Sequence, residues 1–247
     1  MSIENEDDIT GLKKVGNLVA RTIRLMRNAA KPGVTTGELD AMARNYFESR
    51  GALSAPEITY NFPGATCISV NQEAAHGIPG DKTLQEGDLV NIDVSLELDG
   101  YFADSGQSFY IGAGFSDLQN LCSASNSILL ESLSLARSGN PLNMIGWKIE
   151  TEANNRGYNV IRNLSGHGTG RGLHEAPEGI LNYFDPGDRR MLRQGMVLAI
   201  ETFISNGASY VIESDDGWTL KTPDRSFVAQ FEHTIIVTEE NPIVVTA

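Results

Sequence analysis

The chain has 247 residues, 40% hydrophobic and 21% charged, with no low-complexity tract, which suits a folded globular protein with a substantial core. Its formal net charge of −13 disfavours binding to a phosphate backbone, which needs clustered Lys and Arg, so no direct nucleic-acid binding is expected. No apolar run approaches the roughly 20 residues that span a bilayer, the first ten residues are acidic rather than signal-like, and Cys67 and Cys122 make no disulfide framework; a cytoplasmic protein without a membrane partner is expected.

In chain order, Ile9, Leu12, Val15, Val19, Ile23 and Met26 fall at three- and four-residue steps and predict an amphipathic helix from Asp7 to Ala30. A second helix is predicted to open at "TTGEL", where Thr35 and Glu38 have capping-box spacing, and to turn Leu39, Met42, Tyr46 and Phe47 inward before stopping near Gly51. The "DG" at Asp99–Gly100 predicts a two-residue hairpin turn between two strands. A third helix is predicted from about Ser116 to Arg137, with Leu118, Leu121, Ile128 and Leu135 on one stripe. A fourth follows Asn140–Pro141, with the proline in its first turn, and ends near Gly157.

The spacings repeat. Gly33 and Gly51 are eighteen residues apart, and so are Gly139 and Gly157. Gly87 and Gly195 follow 36 and 38 residues later, each opening a β-rich run with an acid six residues on, Asp93 and Glu201. Two similar helix–helix–strand halves are expected, about 7–115 and 116–240 of a single domain spanning 1–247.

Carboxylates are rarely buried unless paired or metal-bound. Four lie in apolar, strand-like contexts here: Asp93 in "VNIDVS", Asp104 in "YFADSGQSF", Glu201 in "LAIETF" and Glu232 in "AQFEHTIIV". With the predicted turn, Asp93 lies opposite Gly106 and diagonal to Asp104, so both carboxylates leave one face within reach of shared ions. A one-residue change of register would separate them. In "GHGTGRGLHEAP", two of the chain's four histidines, His167 and His174, stand seven residues apart among glycines. Taken alone, this stretch leaves metal ligation, acid–base chemistry and an ordinary loop all open.

Carboxylates with imidazole form a ligand set for Mn, Fe, Co or Zn, not for a thiolate zinc site. The histidine spacing is not that of an HExxH helix, and no GxSxG elbow, complete P-loop or GxGxxG element is present.

The motifs "AHGIPGD", "VNIDVSLELDGYFADSGQSF", "GHGTGRGLHEAP", "IETF" and "GWTLKTPDRSFVAQFEHTIIVT" resemble, in order and over essentially the whole chain, those of the type I methionine aminopeptidases. The lack of a long insertion between His174 and Glu201 resembles type I rather than type II. The resemblance implies an α+β pita-bread fold of the creatinase/aminopeptidase kind: a curved antiparallel sheet, outer helices and an internal pseudo-two-fold duplication. It also implies two divalent metal ions, of Co, Mn, Fe or Zn. Asp93 would bind one, Asp104 and Glu232 would bridge both, and His167 with Glu201 would complete the other. By the same resemblance Glu201 would also move the proton. His174 would hydrogen-bond the substrate carbonyl, His76 would lie by the scissile peptide, and Cys67, Phe62 and Trp218 would line a methionine pocket. His233, next along the strand from Glu232, is expected to point away and be structural.

The implied activity is removal of the initiator methionine from peptides and nascent proteins with a small second residue, by a monomer, with the ribosome as a partner. Three departures bear on rim shape: Thr202–Phe203 follows Glu201 where proline is usual, Leu173 replaces a frequent aromatic, and Thr59 replaces a common aromatic at the rim. The rivals are an X-Pro aminopeptidase or dipeptidase of the same fold, and a catalytically silent fold member acting as a binding protein.

Overall fold

Each half of the chain lays one long helix against a pair of antiparallel strands and packs a second helix on the first. The computed structural model describes residues 1–112 and 117–247. In the first half are α1 (Glu6–Ala29), α2 (Thr36–Glu48), β1 (Leu53–Ser54), α3 (Ala55–Tyr60), β2 (Cys67–Val70), β3 (Glu73–Ala75), β4 (Leu89–Leu98) and β5 (Tyr101–Tyr110). In the second are α4 (Asp117–Leu133), α5 (Asn143–Asn155), β6 (Asn159–Val160), β7 (Ser165–Gly168), β8 (Glu175–Leu181), β9 (Val197–Ser205), β10 (Ile212–Glu213), β11 (Leu220–Lys221), β12 (Val228–Ile236) and β13 (Ile243–Val244).

The expected helices form for the expected reasons, with local corrections. Helix α1 is capped by the Asn5 side chain, carries Glu6, Asp7 and Asp8 in its first turn, and buries Leu12, Val15, Val19, Ile23 and Met26. The Thr35–Glu38 capping box opens α2. Leu39 and Phe47 are buried, but Met42, expected inward, is 36% exposed because the buried stripe runs Leu39, Ala43, Phe47 at four-residue steps. The expected start of the third helix at Ser116 lies outside the described residues. That helix ends at Leu133, so Leu135 sits in the following turn. Pro141 precedes the N-cap Leu142 of α5 and bridges to Met191, so it stands outside the first helical turn.

Among the described residues the main sheet has ten strands in the order β1-β4-β5-β12-β9-β7-β8, with β2 on β4, β6 on β9 and β13 on β12. Helix α1 packs on β4 and β5, and α4 on β9 and β12. Two apolar clusters fill these layers, one with Val15, Ile23, Phe47, Ile92 and Leu96, the other with Ile128, Ile145, Leu198, Ile204 and Ile235.

The repeat in the sequence is a repeat in the backbone. Gly33, Gly51 and Gly87 have φ of 95°, 82° and 98°, and Gly139, Gly157 and Gly195 have φ of 88°, 78° and 83°. All six occupy the left-handed region that favours glycine. Their hydrogen bonds match as well. Gly33 N–H donates to Leu84 O and Gly139 N–H to Leu192 O, each at 2.9 Å. Gly87 N–H donates to Ile111 O at 2.7 Å, and Gly195 N–H to Val237 O at 2.9 Å. The expected duplication is therefore present turn by turn, while its expected boundary at 115/116 lies outside the described residues.

The hairpin register also follows the expectation. Asp99 and Gly100 have φ of 55° and 79°, as a primed two-residue turn requires. Leu98 faces Tyr101, Asp93 faces Gly106 and Ser95 faces Asp104. Cys67 and Cys122 are free and buried.

Candidate active site

Strands β4, β5, β9 and β12 lie side by side, and Asp93, Asp104, Glu201 and Glu232 project from them into one cavity. Glu201 and Glu232 are direct cross-strand partners, whereas Asp93 and Asp104 are diagonal. Strand β7 pairs with β9 and brings in His167, and the loop after it brings in Leu173 and His174. His76 enters from the turn after β3, held at φ 54°. Phe62, Cys67 and Trp218 line the same cavity, so the structure brings together every site residue expected from the sequence. Thr59, expected at the rim, does not line it. Its neighbour Tyr60 does, from the end of α3, while staying 45% exposed.

The ligand atoms of Asp104, His167 and Glu232 lie within 4.8 Å of one another, and all three residues are buried. His167 Nδ1 is 3.0 Å from Gly168 O. A carbonyl can only accept, so Nδ1 carries a proton, and in the neutral ring Nε2, 3.7 Å from Asp104 Oδ2, is the nitrogen left with a lone pair. Ser95 Oγ donates to Asp104 Oδ1 at 2.7 Å.

Gln230 was not legible as a site residue, although it lies two residues before Glu232 on the same strand face. Asn91 Nδ2 donates to Gln230 Oε1 at 2.8 Å, which turns the Gln230 amide nitrogen toward the acids. Gln230 Nε2 then donates to Glu232 Oε2 at 3.2 Å and approaches Glu201 Oε2 at 3.5 Å. Gly106 makes this possible, since a Cβ there would lie 2.0 Å from Gln230 Oε1.

The electrostatics call for cations. Burial first, and then mutual repulsion, pushes Asp93 and Glu232 well above the ordinary carboxylate range; Glu201 is pushed up by burial and by Asp104. Among the described residues, no lysine or arginine lines the cavity. Glu232 Oε1 is buried without a hydrogen-bond partner among the described residues. An orphaned carboxylate oxygen, a bare imidazole nitrogen and clustered acids fit divalent metal ions bound by oxygen and nitrogen.

The other imidazoles differ. His76 and His174 both keep accessible surface in the cavity. Desolvation by the walls nevertheless holds His76 below the usual imidazole pKa. Desolvation, and then the His167 ring 4.1 Å away, lowers His174 to about 4. Both are therefore neutral near pH 7. His233 points elsewhere, with Nδ1 2.9 Å from Thr246 Oγ1, and burial lowers it to about 4, in keeping with its expected structural role. In the same cavity Phe62 and Trp218 meet edge to face at 5.2 Å and 86°. Burial, and then the nearby acids, pushes the Cys67 thiol up, so it stays protonated beside them.

The profile of metallopeptidase family M24 matches residues 10–239. "Methionine aminopeptidase 2" of Bacillus subtilis is 47% identical over 247 residues, covering 100% of this chain and 99% of that protein. The crystal structure of methionine aminopeptidase from Rickettsia prowazekii is similar with a TM-score of 0.95 and 37% identity, covering 100% of both chains. That of Thermotoga maritima methionine aminopeptidase gives a TM-score of 0.95 and 35% identity, covering 100% of this chain and 99% of that one.

Proposed function

The chain belongs to metallopeptidase family M24, among the methionine aminopeptidases, and from that premise we propose that its cavity removes the initiator methionine from peptides and nascent proteins whose second residue is small. The fold is the α+β pita-bread arrangement expected from the sequence, with its large antiparallel sheet and outer helices. One observation carries the functional reading: the buried cluster of Asp104, His167 and Glu232 shares a cavity with Phe62, Trp218 and Cys67, so a candidate hydrolytic centre adjoins an apolar wall.

Asp93, Asp104, His167, Glu201 and Glu232 would hold two divalent ions, of Co, Mn, Fe or Zn. Bound there, the ions lower the pKa of water and polarise the scissile carbonyl. Glu201 takes the proton of the attacking water and passes it to the leaving amine. His174 hydrogen-bonds the carbonyl oxygen as it becomes tetrahedral, and His76 hydrogen-bonds the scissile peptide at its leaving nitrogen. Their lowered pKa values suit this work, because neutral imidazoles donate without adding fixed positive charge beside the ions. Phe62, Trp218 and Cys67 hold the methionine side chain, whose sulfur packs well against ring edges.

The whole chain, 1–247, acts as one catalytic domain, as a monomer in the cytoplasm, meeting nascent chains at the ribosome. No helix of the described residues is long and apolar enough to cross a membrane.

A peptide panel varying one position at a time tests the reading. Overpacking a rigid site costs about 1–3 kcal/mol, roughly tenfold to more than a hundredfold in rate. Met-Ala-Ser should be cut far faster than Met-Leu-Ser or Met-Lys-Ser, and Leu-Ala-Ser should be poor. Equal rates for Met-first and Leu-first peptides would refute the methionine pocket. Cleavage before proline after any first residue would move the assignment to the X-Pro enzymes of the fold.

A further inference from the structure

His167 and His174 stand ring against ring, 4.1 Å between centroids, yet they have opposite tasks. A metal ligand needs a lone pair at Nε2, whereas a group that stabilises a developing oxyanion needs an N–H. A neutral imidazole has one of each, and the partner at Nδ1 decides which faces inward. At His167 that partner is Gly168 O, an acceptor, which leaves Nε2 bare. At His174 it is Tyr60, whose hydroxyl lies 2.7 Å from Nδ1.

Tyr60 is held for this contact. It is the last residue of α3, whose first turn is capped by Ser54 and whose end is fixed by Asn61 in the left-handed conformation. Arg44 on α2 grips Glu57 of the same helix through two hydrogen bonds, at 2.9 and 2.5 Å. The Tyr60 phenol is raised above its ordinary pKa, by desolvation first and then by Glu178, so it keeps its proton to donate.

We propose that Tyr60 is a positioning residue for the reaction: its hydroxyl donates to His174 Nδ1 and fixes that ring as the Nε2–H tautomer, with the hydrogen turned into the cavity toward the substrate carbonyl. In the other tautomer, Nε2 would turn a lone pair on an electron-rich oxygen and repel it. The two adjacent imidazoles are thus set to opposite tautomers by an acceptor at one Nδ1 and a donor at the other. The inference rests on the reading of His174 as the group that meets the carbonyl.

Nitrogen-15 NMR of histidine-labelled, zinc-loaded enzyme distinguishes protonated from bare ring nitrogens, and His174→Ala assigns the signals. In the unaltered enzyme His174 should be protonated at Nε2 and bare at Nδ1, the reverse of His167. Tyr60→Phe keeps the ring and removes the hydroxyl. It should give a tautomer mixture and lower kcat about tenfold, the loss expected of one neutral hydrogen bond, with KM little changed. A His174 protonated at Nδ1 in the unaltered enzyme, or a Tyr60→Phe variant with unchanged tautomer and kcat, would overturn the inference while leaving the larger reading intact. Full kcat in His174→Ala would instead remove the reading on which it depends.

Discussion

Aligned on Gly87 and Gly195, the two halves of the molecule place Asp93 against Glu201, each six residues on. Asn91 and Ala199, four residues on, pair with Ser69 of β2 and His167 of β7. Seven residues beyond these come His76 and His174. The two imidazoles assigned to the substrate are therefore copies of one position, and so are the two flanking acids. His167 has no imidazole counterpart. Ser69 stands in its place and accepts a hydrogen bond from Gly77 N–H at 3.1 Å. The middle of the sheet diverges too. Counting back from Ile111 and Val237, the partners of the two glycines, Asp104 corresponds to Gln230 and Gly106 to Glu232. An acid at all four central positions would add like charge to a cluster already raised by repulsion. Instead an amide lies over a glycine and donates to Glu232. Duplication supplied the scaffold, and a departure from it sets the His167 imidazole beside Asp104 and Glu232.

The largest effect should come from the central acids that lack counterparts. Asp104→Asn or Glu232→Gln should abolish activity and weaken both metal sites together, as metal analysis and turnover would show. Loss of only one ion with half the activity would mean that the carboxylate serves one site. Next come the duplicated imidazoles. His76→Ala and His174→Ala should each lower kcat by about 10²–10³ with metal content intact. His167→Ala should lose metal, and its retention would erase the contrast drawn here between His167 and its neighbours.

The sequence made much of this legible, because some signals are local and others need the fold. The α1 stripe, the Thr35–Glu38 box and the Asp99–Gly100 turn are short-range, and each formed as read. Helix α3, with six residues, is too short to show a period, although Ser54 and Pro56 mark its start. Tyr60 was invisible as a site residue because its partner His174 is 114 positions away. Gln230 shared the strand face of Glu232, but its orientation depends on Asn91 from the other half. Met42 shows the limit of three-and-four spacing, which admits two neighbouring stripes on a helix and does not choose between them.

A smaller effect should follow Gly106→Ala. Its Cβ would displace the Gln230 amide, so metal affinity should fall about 10–100-fold, as when a ligand loses its hydrogen-bonding partner. Calorimetric titration would measure it, and unchanged affinity would show that Gln230 merely fills space.

The smallest effect concerns a contact between the halves. Arg171, in the loop carrying His174, donates to Asp8 Oδ1 at 2.8 Å and to Gly100 O at 3.2 Å. The Glu4 backbone N–H, and then Tyr101 and Arg171, hold the Asp8 carboxyl below the usual aspartate pKa against the opposing effect of burial. A depressed folded pKa stabilises the protein above the unfolded value and loses that stabilisation as pH falls through the folded value. Asp8→Asn should cost about 1 kcal/mol near neutrality. The difference should shrink only below about pH 4, where aspartate protonates. Urea unfolding at several pH values would test this, and a difference that grew on acidification would contradict it.

The decisive measurement is methionine release from Met-Ala-Ser by exhaustively demetallated protein, followed as Mn, Co, Fe or Zn is returned. The clustered acids and the lone pair of His167 predict no release without ions and a recovery that saturates at two per chain. Full release by the demetallated protein would contradict the account.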